Sequence, residues 1–137
     1  RELAQDHSLI PNAIEEILRY ESPAPHIGRY VAVDTEFHGR PVPAGSAILF
    51  LAGAANRDER QHPDPDRFDI HRAITAPITF GLGAHYCLGA ALARLEGSIA
   101  LEEMLKRFPE WEVDLSEATL SPTSTVRGWE RLPLVIP

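Results

Sequence analysis

The ten residues Phe80-Gly81-Leu82-Gly83-Ala84-His85-Tyr86-Cys87-Leu88-Gly89 set the character of this chain. Three glycines and the sole cysteine lie directly ahead of a long apolar-periodic segment. Glycine lets the backbone take positive φ and approach a flat ligand closely. A cysteine at a helix N-terminus meets the positive end of the dipole and unsatisfied N–H groups, and both favour thiolate over thiol. That suits an anionic sulfur ligand to a metal centre. Two other readings use the same residues. One is an inert, buried cysteine in a glycine-rich turn, since free cysteine is among the most buried residue types. The other is a Cys/His nucleophile with His85, which a loop could bring to Cys87 but a helix could not. A zinc site is weaker, because there is one cysteine and the six histidines show no paired ligand spacing.

After the cysteine, the spacing predicts a helix over 88–107. Leu88, Leu92, Leu95 and Ile99 form one stripe, and Leu101, Met104, Leu105 and Phe108 carry the apolar surface round the cylinder. Such a helix is expected to be buried. Lys106 and Arg107 suit its C-terminus, and Pro109 follows. Before the cysteine, residues 61–79 hold Pro63, Pro65 and Pro77 and no periodicity, so they read as an irregular connection that wraps or supports a site. Ala47 to Ala52 reads as a short buried strand, Asn56 to Arg60 as a helical turn, and 29–33 as a strand. His38-Gly39 and Pro43-Ala44-Gly45 are turns. A first helix is predicted over 12–20, with Pro11 near its start and Ser22-Pro23-Ala24-Pro25 ending it. The tail has strand-like pieces near 111–115, 120–127 and 131–136. The pattern is α+β, mainly α.

The 137 residues have the size of one domain, and 44% are hydrophobic, enough for a packed core. The net charge of −7 argues against general binding of nucleic acid or an anionic membrane. The sequence holds no apolar run of about 18 residues and no signal peptide. A single cysteine excludes an internal disulfide and fits a reducing, cytoplasmic compartment. The chain opens at Arg1 and its only methionine is Met104, so it is expected to be a segment of something longer.

Residues 80–89 match Phe-Gly-x-Gly-x-His-x-Cys-x-Gly, the haem-binding signature of the cytochrome P450 family, at all six fixed positions, and the chain resembles that family's soluble bacterial members. The resemblance implies that Cys87 is the proximal thiolate of haem b (iron protoporphyrin IX), a ligation that favours O–O cleavage. It further implies that Phe80 shields the sulfur, that Gly81 and Gly83 let the loop turn under the macrocycle, and that Gly89 lets the helix start close to it. Glu16-Ile17-Leu18-Arg19 resembles the family's Glu-x-x-Arg pair, though Glu15 with Arg19 is equally a surface i, i+4 pair. Pro65-Asp66-Arg67-Phe68 resembles the meander motif, in which Arg67 would complete a Glu16–Arg19–Arg67 triad and lock the meander to the first helix. His85 and Arg29 match positions that pair with the haem propionates; Arg29 reads equally as an exposed strand arginine, and His26 is a weaker candidate contact. His7, His38, His62 and His71 read as solvated loop or turn histidines.

The resemblance runs from the first helix to the terminal strands in the family's order: helix, small sheet, meander, cysteine loop, long helix, terminal strands. Family members are roughly three times longer. Residues 1–137 are therefore expected to be the C-terminal haem-binding segment, without the oxygen-activating helix and most of the distal pocket. The implied parent is a monooxygenase of a small organic substrate, fed electrons by a ferredoxin or flavoprotein. Arg94 matches a basic position on the electron-entry face, with Arg60, Arg72 and Lys106 as looser candidates. Residues 24–28 and 121–124 are the segments expected to reach the substrate. Alone, the segment is expected not to hydroxylate, and to pair with the N-terminal portion of the fold or self-associate. A truncated non-catalytic haem-binding or interaction module, and a plain globular domain with a buried thiol, are the competing hypotheses.

Overall fold

A computed structural model describes residues 1–74 and 77–137. A short helix, α1 (Glu2–Gln5), and a 3-10 turn over His7–Leu9 lead into α2 (Ile10–Tyr20). Helix α2 begins two residues before the expected start, because Pro11 occupies its first turn, where a missing N–H costs nothing. Ile10 and Ile14 form the core with Leu105, and Leu3, Ala4, Leu18, Leu101 and Trp111 pack round them. Full burial of a large apolar side chain such as Ile10, Ile14 or Leu105 is worth about 1.5–3 kcal/mol.

Strand β1 (Ile27–Tyr30) pairs antiparallel with β4 (Ala47–Phe50), with Ile27 opposite Phe50 and Tyr30 opposite Ala47. Between them, β2 (Thr35–Phe37) and β3 (Arg40–Val42) form a hairpin. His38 and Gly39 both take positive φ, as a two-residue primed turn requires. Helix α3 (Ala52–Ala55) follows, four residues ahead of the expected turn at 56. Its Gly53 N–H donates to Pro25 O at 2.9 Å, seating α3 on the segment that ends α2.

Residues 61–74 form the expected irregular connection; positions 75 and 76 of that expectation lie outside the described residues. A 3-10 turn at Gly83–His85 precedes α4 (Ala90–Arg107). Helix α4 crosses α2 closely: a β-carbon on Gly97 would stand 3.3 Å from Ile14 Cδ1. Helix α4 is not buried on most sides, contrary to its apolar pattern. Ala90 and Leu105 are buried, but Leu88, Leu92, Leu95 and Ile99 are all more than half exposed. Apolar periodicity identifies the helix but not which of its faces this chain covers. The tail makes two small antiparallel pairs, β5 (Glu112–Val113) with β8 (Leu134–Val135) and β6 (Thr119–Leu120) with β7 (Trp129–Arg131). The architecture is mainly helical with four two-stranded sheets among the described residues. No helix among them is long and apolar enough to cross a membrane.

Candidate functional site

The cysteine loop is a closed turn. The Cys87 N–H donates to Phe80 O at 2.9 Å, Tyr86 N–H to Gly83 O at 3.0 Å, and Gly81 N–H to Ile78 O at 2.9 Å. Gly81 has φ +73° and Gly83 φ +67°, which a side chain would strain. Cys87 is exposed and two residues ahead of Gly89, the N-cap of α4. The helix starts later than expected, so the cysteine sits just outside its first turn, and Cys87 O accepts from Ala90 N–H at 3.2 Å. A β-carbon on Gly89 would lie 4.0 Å from Cys87 Sγ, while one on Gly83 would meet nothing within 4 Å. An accessible soft sulfur, an open glycine face and the exposed apolar Leu88 beside it fit a flat macrocycle bearing iron. Phe80 is half-buried, edge-on to Tyr86 at 6.4 Å, with the Arg94 guanidinium 4.7 Å from its ring centroid.

A buried ionic lock joins α2 to the irregular connection. Glu16 and Arg19 are both fully buried. Arg19 donates through Nε to Glu16 Oε2 at 2.7 Å and through Nη2 to Oε1 at 2.9 Å. Its other donors go to the carbonyls of Asn56, Pro65 and Arg67 at 2.9, 2.9 and 3.3 Å, which uses every N–H of the guanidinium. The third member is Arg72, whose Nε donates to Glu16 Oε1 at 3.3 Å. Arg67 does not fill that place. Its side chain is 70% exposed and turned to Asp69, 3.5 Å away, and it joins the lock only through its carbonyl. The reason is that the connection runs its backbone past Arg19, so carbonyls, not the Arg67 side chain, face inward. Arg72 then gathers those carbonyls, donating to Pro63, and to Asp64 and Arg67 at 2.9 Å each. Glu15 makes no pair with Arg19; it bonds Arg94.

Burial pushes the Glu16 carboxyl up, but hydrogen bonds from Arg19, the Asp69 N–H and Arg72 outweigh it and hold it below the usual carboxylate value. His62, expected in solvent, is buried beside this lock. Burial, with Arg19 and Arg72 adding to it, pushes its imidazole below its ordinary value.

Asn56 was not legible as a functional position, yet it joins three segments. Its Nδ2 donates to Ser22 Oγ at 2.9 Å and Thr79 Oγ1 at 2.7 Å, and its Oδ1 accepts from the Ile78 N–H at 2.9 Å. Both hydroxyls pass their hydrogens to Leu18 O, at 3.2 and 2.8 Å. This fully satisfied buried amide fastens Ile78 and Thr79, just ahead of the cysteine loop, to the end of α2. The one sequence signal was a lone Asn after Ala-rich residues, which reads equally as a helix cap.

His85 closes the 3-10 turn ahead of the cysteine and is exposed. Arg29 lies on β1, its Nη1 donating to Gly28 O at 2.8 Å. The loop and β1 are neighbours, since a β-carbon on Gly81 would lie 3.9 Å from Ile27 Cδ1. Of the other proposed cations, Lys106 is paired with Glu102 at 2.7 Å and Arg60 with Asp58.

Residues 3–128 match the family model described as Cytochrome P450. The chain is 41% identical over 132 residues to the 6-deoxyerythronolide B hydroxylase of Saccharopolyspora erythraea, covering 95% of this chain and 33% of that one. It is 42% identical over 135 residues to a Steroid C26-monooxygenase of Mycobacterium tuberculosis, covering 97% and 36%. Among solved structures, ligand-free cytochrome P450 TbtJ1 superposes with a TM-score of 0.92 at 42% identity, covering 99% of this chain and 36% of that one. The hydroxylase HmtN of himastatin biosynthesis gives 0.93 at 39%, covering 99% and 37%. The chain thus spans about a third of the length of the relatives it matches.

Proposed function

Because this chain belongs to the cytochrome P450 family, we propose that residues 1–137 are the C-terminal haem-binding segment of a cytoplasmic monooxygenase acting on a small organic substrate. The observation that carries this reading is the accessible Cys87 sulfur on a glycine turn closed by the Cys87 N–H to Phe80 O bond. Cys87 would hold the iron, and haem, when bound, would supply the oxygen-activating chemistry.

The chain's own residues hold and tune that ligand. Gly81 and Gly83 turn the backbone without side chains in the macrocycle's way, and Gly89 keeps the region beside the sulfur free. Phe80 limits water at the sulfur, since a dry surrounding strengthens its interaction with the metal. His85 and Arg29 would hold the two propionates by charge-assisted hydrogen bonds, the Arg29 Nη1 that now donates to Gly28 O being one donor available to them. The Asn56 network ties Ile78 and Thr79, just ahead of the loop, to α2, and the Glu16–Arg19–Arg72 lock ties the irregular connection to the same helix. A ferredoxin or flavoprotein supplies the electrons. The exposed stripe Leu92, Leu95 and Ile99 of α4 is covered by the N-terminal portion of the fold, and mediates self-association when that portion is absent.

The test is optical. In the complete parent polypeptide, the reduced, CO-treated haem protein is expected to show the red-shifted Soret band of thiolate ligation, and Cys87→Ala to lose it. Retention of that band in Cys87→Ala, or its absence in the unsubstituted protein, overturns the assignment.

A further inference from the structure

Arg94 resembles a docking cation in sequence, but its contacts are internal. Its Nε and Nη2 grip both carboxylate oxygens of Glu15, the latter at 3.1 Å. Its Nη1 donates to Tyr86 Oη at 3.1 Å and to Ala90 O at 3.4 Å. The guanidinium carbon also stands 4.7 Å from the centroid of the Phe80 ring. Phe80 and Tyr86 bracket the cysteine loop, and Glu15 belongs to α2. One planar cation therefore touches the first residue of the loop, the residue before Cys87, the first turn of α4 and the central helix. Both side chains of the Glu15–Arg94 pair are about two-thirds or more covered, which limits what an approaching protein surface would find there.

We propose that Arg94 is a positioning residue for Cys87, fastening the loop to α2 through Glu15, Tyr86 and Phe80, and not a free docking cation for an electron donor. Consecutive carboxylates of α2 then divide the work: Glu16 holds the meander and Glu15 holds the cysteine loop. A bidentate fork and a stacked ring need the planar guanidinium, so lysine supplies the charge without the geometry. The proposal rests on Cys87 being the haem ligand.

The experiment uses the complete haem-loaded parent polypeptide with Arg94→Gln, Arg94→Lys, Glu15→Gln and Tyr86→Phe. The readouts are the rate at which the reduced, CO-treated protein loses its thiolate-type Soret band, the global unfolding midpoint, and the rate of reduction by an acidic ferredoxin. Arg94→Gln and Glu15→Gln are expected to speed loss of the band by about fivefold, in low and high salt alike, at an unchanged midpoint. Arg94→Lys should recover only part of that, and the Arg94→Gln/Glu15→Gln double variant should be no worse than either single one. If Arg94→Gln does not fold, Tyr86→Phe, which deletes one hydroxyl, decides by a smaller acceleration of the same kind. Unchanged band lifetimes in all variants, with ferredoxin-driven reduction slowed at low salt only, would establish docking and overturn the proposal. An unsubstituted protein without the thiolate band would instead remove the ligand assignment, and this inference with it.

Discussion

Removing one charge from the buried lock should damage the fold more than any surface change. In Glu16→Gln, the carboxylate that accepts from Arg19 Nε (2.7 Å), Arg19 Nη2 (2.9 Å), the Asp69 N–H (2.8 Å) and Arg72 Nε (3.3 Å) becomes an amide. The amide oxygen can replace one acceptor, but its NH₂ then faces an Arg19 donor, and two guanidiniums lose their counter-charge. Deleting one partner of a buried pair costs about 3–5 kcal/mol, against a typical domain stability of about 5–15 kcal/mol. Arg72→Ala, which releases the Pro63, Asp64 and Arg67 carbonyls as well as Glu16, should cost about 2–3 kcal/mol. Arg67→Ala removes an exposed side chain and should stay within about 1 kcal/mol. Denaturant unfolding of the complete parent protein, followed by circular dichroism and by haem release, measures all three. Equal losses in Arg67→Ala and Arg72→Ala, or a loss below about 1 kcal/mol in Glu16→Gln, would refute this account of the lock.

Asn56→Ala leaves the Ile78 N–H without its acceptor, and should cost about 1–3 kcal/mol and speed hydrogen exchange at that amide; unchanged exchange there would contradict the network. Stability should fall with acid in two stages. His62 titrates below its ordinary 6.5 when folded, so the native chain binds fewer protons than the unfolded one and stability declines as pH drops through 6.5. Glu16 titrates below its ordinary 4.5, so its contribution is full above 4.5 and is lost as pH falls from there toward the folded value. Melting temperatures measured between about pH 8 and pH 4 should lose the first stage in His62→Gln; an unaltered profile would exclude His62 as its source.

Much of the site could be read from residue types because local chemistry decides it. The Gly81 and Gly83 positions demand positive φ, and Glu16 and Arg19 share a helix face by spacing alone. Arg72 was not legible as the third arm because a connection without periodicity gives no clue to which of its side chains turns inward. There the backbone carbonyls of 63–67 take the inner position, and a residue beyond them reaches back. His62 hides for the same reason: followed by Pro63 and Pro65 it looks solvated, yet the wrapped chain buries it. The β2–β3 hairpin showed only its His38-Gly39 turn, since its three-residue strands are too short to alternate visibly. The long helix is legible to its last residue, Arg107, and starts two residues later than its periodicity suggests; its burial is not legible, because a stripe records that a partner is wanted and not that this chain contains it.

Iron K-edge X-ray absorption on the complete haem-loaded protein reads the bond between Cys87 and the iron itself. One sulfur scatterer is expected in the iron's first coordination shell, replaced by oxygen in Cys87→Ser. A shell of nitrogen and oxygen alone in the unsubstituted protein, or a sulfur that survives Cys87→Ser, would contradict it.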